Sequence, residues 1–305
     1  MIKRLYIYQK EMLPFWKNAL LSIVLFAEIY FFIVLISDVG MFSIGIEEFV
    51  GFVTIFTFFL SLRIADDLKD TKVDLKLFAH RPIPSGRTKK KDIIVLLIVF
   101  NAITLALNII FMREHPLYFI FYAILIGYGT LMSVWFFARA KIQKNLLLAL
   151  LTHNPIGVII NMYIIGFTCL KYGLPIFTLH HILLALTLYW PTLVWEISRK
   201  VRAPEDETEY VTYSKLYGYK KITIIIMAIM TIDVVTSAIL MYELWSWGII
   251  AVVAAYAWYM VQSTRFLRNP KKLKLVKQVE IYEFITEVPV IMIQIVLIIL
   301  RWGIG

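Results

Sequence analysis

The sequence predicts an all-α integral membrane protein of about nine transmembrane helices with a cytosolic N-terminus, and three observations predict it. Hydrophobic residues make up 60% and charged residues 17% of the 305, where soluble domains have roughly half and about a quarter; mean hydropathy is +0.77. The apolar residues are gathered into runs of membrane-spanning length. The basic residues lie almost entirely on one side of those runs.

The runs fall near residues 16–38, 47–65, 93–112, 117–138, 145–169, 179–198, 221–241, 246–264 and 287–303. Each reaches the roughly 17 to 25 residues that carry a helix across about 30 Å of hydrocarbon. The basic stretch Met1–Lys10 before the first run lacks a small-residue cleavage site, so it is expected to be retained rather than removed as a signal peptide. With the N-terminus in the cytosol, every Lys and Arg except Arg113, Lys171 and Arg301 falls in the inner segments or at inner helix ends. The positive-inside rule then fixes the orientation and places the C-terminus outside. The net charge of +10 is accounted for by orientation and by attraction to an anionic leaflet, so nucleic acid is not expected as a partner. A single cysteine, Cys169, rules out an intrachain disulfide, a CxxC pair and a Cys-rich metal site.

Acidic residues contribute little to orientation, yet two dense groups of them sit on the inner side. The first leaves the second run as Arg63-Ile-Ala-Asp66-Asp67-Leu-Lys69-Asp70-Thr-Lys72-Val-Asp74. On a continuous helix Asp66, Asp70, Asp74 and Asp67 fall at about 0°, 40°, 80° and 100°, all on one side. Like charges at that spacing repel by a few tenths of a kcal/mol each until something neutralises them. One reading is a solvated acidic face with Lys69 and Lys72 as ordinary partners. The other is a hard divalent cation such as Mg2+, which takes one or two carboxylates together with substrate phosphates. Such a site suits ionisation of a diphosphate, because charge developing on the leaving group is neutralised there. His80-Arg81-Pro-Ile-Pro-Ser-Gly-Arg87 follows, where two prolines and a glycine fix a tight turn holding Arg81 and Arg87 near the acidic face.

The two adjoining segments, Asp66-Asp67-Leu-Lys-Asp70-Thr-Lys-Val-Asp74 and Arg81-Pro-Ile-Pro-Ser-Gly-Arg87, resemble the first signature of the UbiA family of intramembrane prenyltransferases. The resemblance implies a ring of helices around a central lipid-accessible cavity, with residues 1–305 forming one membrane domain in the cell membrane and an active site facing the cytosol. It implies that Asp67, Asp70 and Asp74 bind Mg2+ and the diphosphate, with Asp66, where the family usually has Asn, beside them.

The second acidic group, Glu196-Ile-Ser-Arg199-Lys200-Val-Arg202-Ala203-Pro204-Glu205-Asp-Glu207-Thr-Glu209, departs from the family's second cluster. By the resemblance Lys200 and Ala203 stand where aspartates are expected, while Glu196, Glu205 and Glu207 remain as acidic candidates for metal. Pro204 is expected to end the helix near Ala203. Lys200 is expected to do part of a metal's work, since an ammonium contacts phosphate directly, with Arg202 as a second cation. Both are equally read as inner-face anchors. Tyr210 and Tyr213 either point hydroxyls at phosphate or line an interface.

Inside the membrane, Glu28 and Asp233 lie mid-helix, where charged groups usually face a cavity or a partner. His153-Asn154-Pro155 makes a kink in the fifth run; His153 and Asn154 either contact substrate or cap the kink. The expected function is Mg2+-dependent transfer of an isoprenoid group from a prenyl diphosphate to an aromatic or lipid acceptor among membrane lipids. A terpene cyclase on the same framework and a cation transporter are the alternatives.

Overall fold

The structure, a computed structural model, describes residues 1–37 and 39–303, apart from the side chains of Lys72 and Val73. Every regular element among the described residues is helical. The short α1, Ile2–Met12, ends before Pro14, which has no N–H to continue a helix. The next helix is α2, Phe15–Ile36, followed by α3, Ile46–Lys69, whose first turn is closed by Glu48 Oε2 accepting from Gly45 N–H at 2.8 Å. Then come α4, Thr71–Leu77, α5, Lys90–Phe111, and α6, Tyr118–Ser133. After α7, Arg139–Ile142, Asn145 caps α8, Leu146–His153, by accepting from Leu148 N–H at 3.0 Å. The chain turns at Asn154-Pro155 and resumes as α9, Ile156–Tyr172, so the expected kink is present. The remaining helices are α10, Leu179–Thr187; α11, Tyr189–Ser198; α12, Tyr213–Tyr217; α13, Tyr219–Trp245; α14, Gly248–Arg268; and α15, Leu275–Trp302.

Six helical segments among the described residues are long and apolar enough to cross a membrane: α2, α3, α5, the α8–α9 pair, α13 and α15. The protein is a multi-pass membrane protein. The other three apolar runs are also helical, but α6 is shorter, and the run at 179–198 is divided at Leu188 into α10 and α11.

The chain forms two compact units, Met1–Ala27 with Ser43–Arg139, and Glu28–Phe42 with Ala140–Gly305. In the first, α3 packs on α5 through a polar ladder as well as apolar contacts. Thr57 and Thr104 share a hydrogen bond of 2.7 Å, Asn108 donates to Thr54 at 2.8 Å, and Asn101 donates to Ser61 at 3.0 Å. Interhelical bonds of this kind hold helices together where lipid removes the hydrophobic drive for association. Near the C-terminal end of α3, Tyr8 and Leu13 pack on Leu60, Ile64 and Ile93. In the second unit α11, α13, α14 and α15 enclose Val194, Ile226, Met230, Tyr259 and Tyr282. Outward faces are apolar, as on α5, where Ile98, Ile103, Ile109 and Ile110 are exposed.

Three boundaries differ from the sequence reading. The helix through the first Asp group is not continuous, because α3 stops at Lys69 and Asp70 joins it to α4 with φ −95° and ψ 6°. The helix before the second acidic group ends at Ser198 rather than near Ala203. Its last turn tightens, Lys200 N–H donating to Ile197 and Val201 N–H to Ser198, so Glu196 stays helical while Lys200 and Glu207 do not. The last helix begins at Leu275, not 287; Glu280, Glu283 and Glu287 interrupt the apolar run in sequence but lie within the helix.

Candidate active site

The first Asp group gathers at the C-terminal end of α3 and the start of α4. Asp67, 4% exposed, accepts from Tyr8 Oη at 2.7 Å and pairs with Arg63 at 3.1 Å. Asp66 pairs with Lys69 at 2.7 Å, and Asp74 accepts from Arg81 at 2.9 Å. Asp70 is half-buried and has no hydrogen bond or ion pair to its carboxylate among the described residues. The carboxylates remain within electrostatic reach of one another, Asp67 of Asp74 and Asp70 of both Asp66 and Asp74. The break at Asp70 is shallow, since the backbone bonds Asp70 to Asp66, Asp74 to Asp70 and Phe78 to Asp74 keep the helical i to i−4 pattern. Burial first, then the neighbouring Asp66 and Asp74 charges, raise the Asp70 carboxyl above its ordinary value against the pull of Lys69 and Arg139. Lys72, expected as a surface partner, lies outside the described side chains.

The turn from His80 to Arg87 forms as expected. Ser85 N–H bonds to Arg81 O, Thr88 N–H to Pro82 O, and Gly86 takes a φ of +75°. Arg81 stacks on Phe78, 4.0 Å from its ring centre, while its guanidinium holds Asp74. Arg87 turns instead to Glu11 of α1, at 2.8 Å from Oε2, and to the His80 carbonyl at 2.6 Å. It therefore fixes the turn to α1 and not to the acidic face.

Two participants were not picked out from sequence. Tyr8 is fully buried, and burial followed by the Asp67 charge raises its phenol far above the ordinary value, so it stays a donor. Trp135, Phe136 and Phe137 all have left-handed φ, at 55°, 49° and 57°. That conformation costs about 1–2 kcal/mol per residue. It brings the Trp135 ring under Lys69, 4.8 Å from Nζ, and is followed by Arg139, which donates to the Lys69 carbonyl at 3.1 Å. No sequence signal short of the Trp-Phe-Phe run itself marks this turn.

In the second acidic segment the carboxylates are held apart. Glu196 binds Arg199 at 2.6 Å and Lys200 at 3.1 Å. Glu207 accepts from Thr212 at 2.7 Å and from Ser214 at 2.5 Å, closing the loop that leads into α12. Glu205 pairs with Lys271 at 3.3 Å, and its own backbone N–H with Lys271 lowers its carboxyl below the ordinary value. Arg202 donates to Thr208 at 3.0 Å and lies over the exposed Tyr210 ring at 5.9 Å. Tyr213 is buried and bonds the Leu146 carbonyl at 3.4 Å, with Lys200 6.0 Å from its ring centre; burial and then Glu196 raise its phenol. His153 Nδ1 lies 3.0 Å from Thr152 Oγ1 and 3.2 Å from the Ala149 carbonyl, and Asn154 is buried at the turn.

Among the described residues no three His, Cys, Asp or Glu side chains converge on a metal-sized point. Mg2+ does not demand that, since one or two carboxylates with substrate phosphates suffice. Asp70, half-buried with no partner to its carboxylate among the described residues and flanked by Asp67 and Asp74, fits such a donor set; Glu196, Glu205 and Glu207 do not.

No family model and no curated protein matches the sequence. A solved structure does, from a study of digeranylgeranylglyceryl phosphate synthase in membranes, at 17% identity and a TM-score of 0.66. The two share a fold. The match covers 96% of this chain and 99% of that one.

Proposed function

We propose that this protein transfers an isoprenoid group from a prenyl diphosphate to an aromatic or lipid acceptor within the cell membrane, at a site facing the cytosol, as one UbiA-type domain of about nine transmembrane helices. The observation that carries the reading is the half-buried Asp70 between Asp67 and Asp74 at the inner end of α3, on a fold shared with a synthase whose name includes a geranylgeranyl-bearing glyceryl phosphate.

Asp67, Asp70 and Asp74 would hold Mg2+, which when bound neutralises charge on the departing diphosphate. Tyr8 and Arg63 fix the Asp67 carboxylate in place, so it is oriented before substrate arrives. Arg81, already on Asp74, stands ready to share its guanidinium with a phosphate oxygen, an exchange of one anion for another. Lys200 and Arg202 are the further cations proposed for the diphosphate, with Tyr210 and Tyr213 beside them. Apolar surroundings at the allylic end of the donor would exclude water and preserve it for the acceptor rather than for hydrolysis.

Incubation of the purified protein with labelled prenyl diphosphates and Mg2+, with and without aromatic or glycerol-phosphate acceptors, tests the proposal. Diphosphate release that depends on an acceptor is expected. Acceptor-independent hydrocarbon products would replace transfer by cyclisation, and no diphosphate release with any donor would sink both.

A further inference from the structure

Glu28 of α2 and Asp233 of α13 stand about 20 Å and about 21 Å along their axes from the helix ends that the charge distribution places inside, and Glu287 of α15 stands about 18 Å along its own. Three helices thus carry one carboxyl group each to a common depth. The three line one cavity of about 50 Å³, with Thr187, Tyr282 and Gln294 in its wall. Glu28 is 6% exposed, Asp233 2% and Gln294 0%. No Lys, Arg or His is among the lining residues.

Hydrogen bonds satisfy only part of this wall. Tyr282 donates to Asp233 Oδ2 at 2.7 Å, Ser237 also bonds Asp233, and Glu28 and Glu287 bond each other. A bond between two carboxyl groups requires one of them to carry a proton, because a carboxylate only accepts. What is left over is oxygen. Glu287 Oε2, Gln294 Oε1 and Thr187 Oγ1 have no partner among the described residues. Gln294 is pinned by its amide, which donates to the Glu28 carbonyl at 3.2 Å, so its unpartnered oxygen is not a freely rotating group. Two residues beyond Glu287, Pro289 has no N–H for the Ile285 carbonyl.

A wall rich in acceptors, with three carboxyl groups and no cationic side chain among its lining residues, calls for an occupant that donates hydrogen bonds and carries positive charge. The cavity volume makes that occupant small. One water needs roughly 10–15 Å³ on this measure, so there is room for a few waters and none for a lipid chain. The occupant also has a route. Glu280, Glu283 and Glu287 follow one another on α15 with rises of about 4.5 Å and about 6 Å. Glu280 is exposed toward the inner end and accepts from Trp195 Nε1 at 3.2 Å; Glu283 is half-buried and within electrostatic reach of Glu280, Glu287 and Asp233. The other titratable groups facing this column are Glu28 from α2, Asp233 from α13 and Tyr259 from α14, whose ring lies 5.5 Å from that of Tyr282. From α10 and α11 the cavity receives Thr187 and apolar side chains.

The geometry points to an intramembrane proton-binding site, in which an excess proton is held by the Glu28–Glu287 pair and the water the cavity admits, and is exchanged with the cytosolic side along Glu283 and Glu280. In each step a carboxyl O–H breaks and the next carboxylate gains the proton; no other bond changes. The site stands apart from the prenyl-transfer reading and survives its failure.

The test is infrared spectroscopy of the full chain in liposomes at neutral pH. A protonated carboxyl C=O band that shifts on transfer to D2O is expected, and the Glu28→Gln/Glu287→Gln double variant removes it. If the double variant does not fold, Glu28→Gln alone is expected to move the band. Glu283→Gln keeps the band but slows its exchange with D2O tenfold or more. Absence of the band in the parent protein, or a band indifferent to these substitutions, overturns the site. Loss of the band at constant pH on adding sodium or ammonium replaces the proton by that cation, and unchanged exchange in Glu283→Gln overturns the path.

Discussion

At the scale of single residues, the carboxylates of the first Asp group divide into those the fold already uses and one, Asp70, that has no partner among the described residues. Asp67 is bonded to Tyr8 and Arg63, so Tyr8→Phe strands a buried acceptor. A loss of about 1–3 kcal/mol is expected, read as lower thermal stability in detergent, together with a several-fold fall in diphosphate release because Asp67 loses one of the two groups that orient it. Asp70 behaves in the opposite sense. Its carboxyl is raised in the folded protein, by burial and then by like charge, so ionising it opposes folding at any pH above its folded value and the opposition disappears below the value of an ordinary aspartate. Asp70→Asn is therefore expected to be more stable than the parent at neutral pH and equal to it in acid, while diphosphate release falls at least a hundredfold. Unfolding temperature against pH for both proteins measures the first part; equal stability at neutral pH would contradict it.

At the scale of elements, close approach and turn geometry set the site. Gly129 of α6 lies under the Phe58 ring of α3, where a Cβ would sit 2.7 Å from Cε2. Gly129→Ala forces the ring or the helix to shift, and overpacking of this kind costs about 1–3 kcal/mol; a lower unfolding temperature is the expected readout. Gly86, at φ +75°, closes the turn that delivers Arg81 to Asp74. Alanine there is strained by about 1–2 kcal/mol, and a several-fold rise in KM for the prenyl diphosphate, with a smaller change in kcat, is expected as Arg81 is displaced. The Arg81-Pro-Ile-Pro-Ser-Gly-Arg87 turn was legible because proline and glycine act locally. The end of α11 at Ser198 was not, since no breaker precedes Pro204 and the tightening of Ile197 to Val201 arises from how the loop returns to Ser214 and Thr212.

At the scale of the whole molecule, the proposal requires a divalent metal and cationic side chains for the diphosphate, and each requirement is open to test. Removing divalent ions with a chelator is expected to stop diphosphate release, with Mg2+ restoring it and the helical far-ultraviolet spectrum unchanged throughout. Lys200→Met is expected to raise KM for the prenyl diphosphate about tenfold while leaving stability within about 1 kcal/mol, because its partner Glu196 keeps Arg199.

The sequence by itself determined the membrane character, the helical runs and the Asp66–Asp74 cluster with its turn. Hydropathy, charge sidedness and breaker residues are properties of short stretches of chain and survive without knowledge of what they touch. Only the tertiary structure decided that Tyr8 holds Asp67, that Arg87 belongs to Glu11, and that Glu196, Glu205 and Glu207 are separated by their own local partners. It also decided that Glu28 and Asp233 share a cavity with Glu287, a residue at the start of the last apolar run whose neighbours on other helices no reading of hydropathy supplies. A carboxyl group's role in lipid depends on which other helix it faces, and that is fixed by packing between residues hundreds of positions apart in the chain.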